Sequence, residues 1–460
     1  MHAETRCSAG WPSGGWRRSK AASDFPGGWG MTESRRPFGF WTATALVIGN
    51  MIGSGFFALP AQLAPYGFTS VAAWIAAIAG AMVIAWVIAG LSRAMPEATG
   101  TLAICARALG PLPGVLIAWT MWVGVWAANA FIALTAVRYL AVFWPPLAES
   151  SLSLVLAAVA LLWGITLLNL RGARAAGEFQ VVTTLVKLVP LAAIVLLLAQ
   201  LGAKGDLAAS AHPHTPFDAG QLASAVTLAF FAMVGFECAG VAAERVRDPA
   251  RTIPRATLTG VGLTGLLYLI ACSGIIFAMP QGSVAGANAP VALFVETFWG
   301  HWAGLAVAGF AAVAAIGALN GWVLLQGEVP LGMARAGVIP ARIGRTSGRD
   351  VPVAALLASS VLASVLVLSN VSRDTAAIYD FMLRVTTAAT LWFYAGTCLS
   401  ALVLGVVRPA AAIGLVFALW AIWGAGYEAI GLSLLLMATA IPLYLMRGSA
   451  EQAAKEAAIP

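Results

Sequence analysis

Long apolar stretches alternate with short polar loops over most of the chain. Most of these stretches approach or exceed the length of about 20 residues that an α-helix needs to cross the hydrocarbon core of a bilayer. The loops between them are too short to hold a soluble domain. The pattern therefore predicts an all-α integral membrane protein of about twelve transmembrane helices. The predicted spans are 38–66, 70–92, 113–143, 152–170, 179–201, 219–243, 256–279, 290–333, 353–371, 376–405, 410–424 and 426–446.

A polar, glycine-rich segment interrupts the first predicted span at Gly49–Gly55 (GNMIGSG). Glycine in a helix interior costs about 1 kcal/mol relative to alanine. A broken helix survives at membrane depth only where protein or a water-filled cavity covers its unpaired main-chain groups. The free amides and the positive dipole end of the helix that follows suit an anionic group such as a carboxylate. We therefore expect a substrate site at this break.

The sixth predicted span contains a second irregular passage at 230–240 (FFAMVGFECAG). Transporters built from inverted repeats place broken helices at corresponding positions of their two halves, around a site near the bilayer midplane. In a protein with two five-helix halves, the first and sixth helices occupy those positions. Two interruptions in matching places are a stronger signal than one, because a single glycine in a membrane helix usually serves close packing.

Composition and charge support a membrane protein. The chain is 60% hydrophobic and 10% charged, whereas soluble domains are about a quarter charged. The net charge of +7 does not indicate a nucleic-acid partner, because the basic residues are spread over alternate loops. An excess of Lys and Arg marks cytoplasmic loops, so we expect a multi-pass inner (plasma) membrane protein with both termini cytoplasmic. The basic residues of the predicted cytoplasmic segments include Arg35, Arg36, Arg93, Arg107, Arg171, Arg174, Arg245, Arg255, Arg335, Arg345, Arg408 and Arg447.

The sequence predicts one membrane domain flanked by two tails. We expect a disordered cytoplasmic N-terminal tail at 1–36, a twelve-helix transporter domain at 37–448 and a cytoplasmic C-terminal tail at 449–460. Residues 1–36 hold no hydrophobic core of a signal peptide. Met31 opens a more ordinary start, so residues 1–30 are expected to be disordered or not translated.

Motifs for catalysis, metals and cofactors are missing from the sequence. The five cysteines show no disulfide or metal spacing, and the four histidines fall in tails and loops. There is no phosphate-binding loop, no nucleophile with its base and no pair of carboxylates at catalytic spacing. We therefore expect a protein that is not an enzyme and that holds no metal and no cofactor.

Several motifs resemble the amino acid–polyamine–organocation superfamily, and within it the basic amino acid/polyamine antiporters, most of all the arginine/agmatine type. The resemblance runs from about Phe38 to Arg447. It rests on the segment Gly49–Gly55, on Trp122 and Asn129 in the third span, on Gly235-Phe236-Glu237, on 248–254 (DPARTIP) and on Gly321-Trp322. It implies two inverted five-helix repeats with helices 1 and 6 broken, two additional C-terminal helices, and a homodimer.

The resemblance also implies roles for individual residues. Ser54, Gly55 and neighbouring amides would hold the substrate α-carboxylate, and main-chain carbonyls near Phe231 would receive the α-amino group. Asn129 would face the distal end of the side chain, with Trp322 stacked against it. Phe231 would also be a lid, Tyr394 part of an inner gate, and Glu237 a carboxylate tied to pH response or amine recognition. The implied substrate-binding set is Asn50, Met51, Ser54, Gly55, Gly124, Asn129, Phe231, Ala232, Val234, Trp322 and Thr386, and the implied coupling or gating set is Lys187, Glu237 and Tyr394.

Three positions depart from the arginine/agmatine type. Phe231 stands where that pattern has Trp, Ala232 replaces a serine, and Lys187 lies in the fifth span where that type is apolar. Lys187 instead resembles proton-coupled members of the superfamily, in which an ammonium stands where sodium-driven relatives bind Na⁺. A charge at mid-span marks a pathway or proton relay, but it also fits a lysine that snorkels or pairs statically with helix carbonyls.

The other candidates have alternatives as well. Glu237 acts on substrate or protons, or else accepts hydrogen bonds from freed amides and holds the break in shape. Asn129 lies seven residues after Trp122, on the same helix face, and either reads the substrate or joins two helices. Trp322 stacks on substrate or anchors the protein at the interface. Tyr394 is a gate or a packing residue.

The sequence therefore predicts a secondary active amino-acid transporter that works by alternating access. The favoured substrates are a cationic amino acid such as arginine, exchanged for its amine decarboxylation product such as agmatine. The alternative is proton-coupled transport of neutral amino acids, favoured by Lys187, Phe231 and the shortage of acidic residues in the pocket. A membrane receptor or enzyme is a remote alternative. The expected partners are a small amino acid or amine, protons and the lipid bilayer.

Overall fold

The computed structural model describes residues 39–95, 101–172, 183, 186–205, 212–237, 246, 248–335, 339, 344–347, 351–442 and 444–445. Within these ranges the regular elements are helices. The predicted tails at 1–36 and 449–460 lie outside the described residues. The α-helices are α1 Phe40–Met51, α2 Ser54–Leu63, α3 Phe68–Ala94, α4 Thr101–Leu109, α5 Pro111–Leu140, α6 Ser151–Leu170, α7 Leu188–Lys204, α8 Leu222–Phe231, α9 Pro249–Phe277, α10 Gln281–Ala285, α11 Pro290–Trp299, α12 His301–Arg335, α13 Val353–Leu368, α14 Thr375–Val403, α15 Arg408–Gly424 and α16 Tyr427–Ala438.

Six of the described helices are long and apolar enough to cross a membrane, and up to eight spans result if each bent pair counts as one. The first bent pair is α1 with α2, at an angle of 49°, and the second is α15 with α16, at 115°. The all-helical membrane architecture agrees with the sequence prediction. The count of twelve spans and the inverted repeats stay predictions.

Two local features differ from the sequence prediction. The stretch 290–333, predicted as one span, contains two helices that are separated at Gly300, where φ is +90°. Apolar residues continue on both sides of this glycine, so hydropathy does not reveal the turn. The second feature is α4, which the sequence analysis left in a loop. It buries Ile104 and Cys105, and the Cys105 Sγ lies 3.8 Å from the Thr397 Oγ1 on α14.

The centre of the protein is formed by α5 and α14. Burial differs between the helices over an apolar stretch of 18 residues in each. In this stretch 89% of the residues of α5 and 83% of those of α14 are buried, whereas 33% are buried in α6 and 44% in α3. The helix α5 packs against both α12 and α14. Since α2 and α8 also pack around this centre, one face of α5 lies beside the two helix breaks.

Candidate functional site

The first break separates α1 from α2. Helix α1 ends at Met51, and α2 begins after Gly53, which gives no side-chain cap to the amides that follow. The last carbonyls of α1 are held from outside the helix. The Tyr268 hydroxyl donates to the Met51 oxygen at 2.9 Å, and the Lys187 ammonium donates to the Gly49 oxygen. The positive end of α2 is left without a side-chain cap, so it is available to an anion.

The second break follows α8. After Phe231 the chain tightens into a turn in which each amide donates to the carbonyl three residues back, as from Val234 to Phe231 at 3.1 Å. Gly235 then takes a φ of +111°, which glycine adopts at little cost. The end of this predicted span, 238–243, lies outside the described residues.

The two breaks are tied together. The Asn50 Nδ2 donates to the Gly235 oxygen at 3.0 Å. At Gly55 the chains approach so closely that an added Cβ would lie 3.0 Å from the Cα and the Cβ of Ala232 and 3.3 Å from the Phe231 ring. Only glycine fits at position 55 without movement of one break relative to the other.

A cavity of about 20 Å³ lies between the breaks. This volume is enough for about one water molecule, so the space between the breaks is too small for an amino acid. Phe231 packs edge-to-face on Phe131 of α5, with 4.6 Å between the ring centroids. An amino acid therefore needs these walls to part before it can enter. The lining residues are Asn50, Met51, Gly53, Gly55, Ala128, Ile132, Phe231, Ala232, Val234 and Trp322.

The structure brings seven of the predicted substrate-binding residues to this cavity: Asn50, Met51, Gly55, Phe231, Ala232, Val234 and Trp322. The side chain of Ser54 lies outside what the structure describes. The other three predicted residues, Gly124, Asn129 and Thr386, are not among those that line the cavity. Gly124 packs on α14, where an added Cβ would lie 2.5 Å from the Thr390 Oγ1. The Thr386 hydroxyl donates to the Met382 oxygen of its own helix at 2.8 Å.

Asn129 joins two helices in this structure. Its Nδ2 donates to the Gln326 Oε1 at 2.7 Å, while its buried Oδ1 has no partner among the described residues. The contact corresponds to the alternative in which Asn129 holds helices together. Trp122, predicted on the same face, donates to the Ser359 Oγ at 2.9 Å.

Gln326 is the residue that the sequence analysis missed. Its Nε2 donates to the Ser360 Oγ of α13 at 2.8 Å, and its main-chain oxygen accepts from Trp122 Nε1 at 3.2 Å. It lies four residues after Trp322, on the same face of α12. That spacing, with an amide inside an apolar helix, was the signal available in the sequence.

Glu237 holds the second break in shape. Its Oε2 accepts from the Gly235 amide at 3.1 Å and from the Tyr394 hydroxyl at 2.6 Å. Its Oε1 is buried with no partner among the described residues. Tyr394 stacks on Phe236, with 5.3 Å between ring centroids and 10° between planes. The contact with the Gly235 amide corresponds to the alternative in which Glu237 holds the break in shape.

Lys187 contacts the first break from the opposite side. Its side chain is buried, with 4% of the residue exposed, and in the part of the chain that the structure describes no carboxylate pairs with it. Its one partner there is the Gly49 oxygen, near the negative end of the α1 dipole. This contact fits both readings of Lys187, a static tie and a coupling group that releases the carbonyl when it changes charge.

A small cavity between two helix breaks, inside an apolar helical bundle, is typical of a membrane transporter for small molecules. The chain belongs to the amino acid permease family, which it matches over residues 38–453. It is a multi-pass inner-membrane transporter and not an enzyme. The family thereby confirms the superfamily assignment and the transport class that the sequence predicted.

The chain is similar to several curated antiporters. It is 30% identical over 339 residues to the cadaverine/lysine antiporter of Escherichia coli (strain K12), covering 73% of this chain and 75% of that protein. It is 31% identical over 395 residues to the putative arginine/ornithine antiporter of Bacillus subtilis (strain 168), covering 78% and 82%. It is 27% identical over 387 residues to the arginine/ornithine antiporter of Latilactobacillus sakei, covering 79% and 78%.

Proposed function

We propose that this protein exchanges a cationic amino acid for an amine or for a second cationic amino acid. The observation that carries the proposal is the cavity, which joins the uncapped start of α2, the turn after α8 and the ring of Trp322. Relatives that share its family are named as cadaverine/lysine and arginine/ornithine antiporters. Their names supply the class of substrate that the cavity alone leaves open.

In this proposal the two helix breaks bind the two ends of the amino-acid group. The amides at the start of α2 receive the α-carboxylate, because the positive end of that helix has no side-chain cap. The main-chain oxygens of the turn from Phe231 to Val234 receive the α-ammonium. Trp322 offers a ring face to the distal cation, a contact worth about 1–2 kcal/mol when it is shielded from water.

The small cavity requires a movement of its walls before a substrate can bind. The space of about 20 Å³ is too small for an amino acid, so each substrate must separate the walls formed by Phe231 and its neighbours. We propose that the carrier changes its open side only when a substrate occupies the breaks and lets them close around it. An amine product lacks the carboxylate and makes fewer contacts with α2.

The proposal also concerns which two compounds are exchanged. The sequence motifs favour arginine with agmatine, and the names of the relatives add lysine with cadaverine and arginine with ornithine. The test uses purified protein in proteoliposomes that are loaded with one unlabelled compound of each pair. Labelled arginine or lysine outside should enter only when a partner is inside, one for one, without a pH gradient. Uptake into empty vesicles at the same rate would refute exchange.

A second candidate is proton-coupled transport of neutral amino acids. It is favoured by the cavity lining, which includes no carboxylate among the described residues, and the Lys187 contact with Gly49 is compatible with it. In the same vesicles, an imposed pH gradient should then drive alanine or leucine uptake with no internal amino acid. The two candidates thus give opposite results in empty vesicles.

We also propose the arrangement that the family resemblance implies. The chain would form two inverted five-helix repeats followed by two helices, assemble as a homodimer and keep both termini cytoplasmic. Labelling of single introduced cysteines from either side of the membrane tests the orientation. Mass measurement in detergent tests the dimer.

A further inference from the structure

A column of side chains leads from the cavity to a buried arginine. Phe231 in the cavity wall packs on Phe131, and Phe131 packs on Tyr379 of α14, with 4.6 Å between the ring centroids at each step. The Arg138 guanidinium lies over the other side of this column, 4.6 Å from the centroid of the Tyr379 ring. The Tyr379 hydroxyl is also hydrogen-bonded to Thr135.

Arg138 lies beyond the cavity wall along α5. Ala128 and Ile132 line the cavity, and Arg138 follows Phe131 by seven residues, two helical turns further along the face that carries the column. With a rise of 1.5 Å per residue, Arg138 lies about 9 Å beyond Ile132 along the helix axis. A substrate that approached the cavity along this column would meet the Tyr379 ring, which covers the guanidinium.

Among the residues that the structure describes, no ion pair neutralises the charge of Arg138. Only 6% of the residue is exposed, and the described residues give it one hydrogen bond, from Nε to the Asn288 Oδ1 at 3.0 Å. No carboxylate pairs with it there. Other arginines on α14 or just before it are paired, Arg384 with Asp380 at 2.6 Å and Arg373 with Glu428. A buried cation without a counter-ion is costly, and inside a membrane protein it marks a functional position.

We propose that Arg138 forms a transient binding site for the carboxylate of an amino acid, at the end of the pathway that lies beyond Tyr379. This site favours amino acids over their decarboxylated amines. The proposal deepens the proposed function and rests on it. When Tyr379 swings away, the planar fork of the guanidinium accepts a carboxylate with two parallel hydrogen bonds. A decarboxylated amine has no carboxylate and carries one more net positive charge, so the same guanidinium repels it. The pathway at the Arg138 end therefore favours entry of the amino acid. The decarboxylated amine can leave by the same pathway because Arg138 does not bind it.

The test compares compounds that differ only by the carboxylate. Right-side-out and inside-out membrane vesicles, each loaded with a labelled substrate, are exposed to lysine or cadaverine, to arginine or agmatine, and to leucine or isoamylamine. The measured quantity is the external concentration that gives half-maximal exchange. The variants are Arg138→Gln and Arg138→Lys. The matched control is Arg373→Gln, which removes an arginine from the same end that already has a carboxylate partner.

In Arg138→Gln the half-maximal concentration of each carboxylated compound should rise about tenfold or more, as expected for loss of a hydrogen bond to a charged group. That of its amine should stay equal or fall. The effect should appear from one face of the membrane only. Arg138→Lys should keep part of the preference because the charge remains, and Arg373→Gln should keep all of it.

Equal changes for the amino acid and the amine, or equal changes from both faces, would overturn the proposal and leave Arg138 with a structural role. So would identical behaviour of the Lys and Gln variants. Gel filtration in detergent shows whether each variant is folded, and the Lys variant alone suffices if the Gln variant is not. The leucine and isoamylamine pair separates this proposal from the proposed function, because a carboxylate effect on a neutral substrate would survive failure of cationic exchange.

Discussion

Gly55→Ala tests whether the two helix breaks must touch for transport. The added Cβ would meet the Cα and the Cβ of Ala232 at 3.0 Å, where ordinary contacts are 3.4–4 Å. The first of these atoms belongs to the main chain and cannot rotate away. The breaks must therefore separate by several tenths of an ångström, and such overpacking costs about 1–3 kcal/mol.

That strain is present in the closed state and is relieved when the breaks part. Closure should become less favourable by the same amount, and about 1.4 kcal/mol corresponds to a factor of ten in an equilibrium. We expect the exchange rate of Gly55→Ala in proteoliposomes to fall about tenfold, while thermal unfolding shows that the protein is folded. Gly164→Ala is the matched control, because an added Cβ on that α6 residue has nothing within 4 Å, and it should exchange at the wild-type rate.

A compensating change isolates the contact. Ala232→Gly removes the Cβ of the pair but leaves the Cα, so the double variant should recover part of the lost rate. This coupling between the two positions is what a double-mutant cycle measures. A wild-type exchange rate in Gly55→Ala, or no recovery in the double variant, would refute the reasoning that the breaks close on each other at this point.

Three other predictions address the cavity and its supports. Trp322→Leu should weaken binding of cationic amino acids far more than that of neutral ones, measured by thermal shift across the amino acids, because only cations gain from the ring face; equal losses would contradict cation recognition. Lys187→Met should still exchange substrates, but the exchange rate should no longer depend on external pH, as measured by flux at several pH values. An unchanged pH profile would show that the Lys187 contact with Gly49 is only structural. Tyr394→Phe should remove one donor from Glu237 and lower the unfolding temperature by a few degrees, consistent with loss of a hydrogen bond to a charged group worth about 1.5–3 kcal/mol; an unchanged unfolding temperature would show that this bond contributes little.

The positions of the helix breaks could be predicted from the sequence because their causes are local. Gly53 and Gly55 interrupt an apolar stretch, and the expense of free amides in hydrocarbon implies a cavity beside them. The irregular passage at 230–240 was predicted from its own residues as well, whereas Val234 entered the predicted site through the family resemblance. Predicting the breaks needed no knowledge of which helices are neighbours.

The partners of these residues could not be predicted, because they are distant in the chain. Asn50 bonds Gly235 at a separation of 185 residues, and Asn129 bonds Gln326 at a separation of 197. Asn129 and Trp122 share a face of α5, since both bond to Gln326, but neither residue is among those that line the cavity. The side of Asn129 that meets another helix depends on the rotation of α5, which its nearly uniform apolar surface does not reveal.

The small volume of the cavity also bears on how well the membrane retains its ion gradients. A chain of hydrogen-bonded waters conducts protons, and room for about one water cannot hold such a chain across the gap between the breaks. We expect a carrier resting in this state to leak few protons. A cell can then keep many copies in its membrane without short-circuiting the ion gradients that its other machinery maintains.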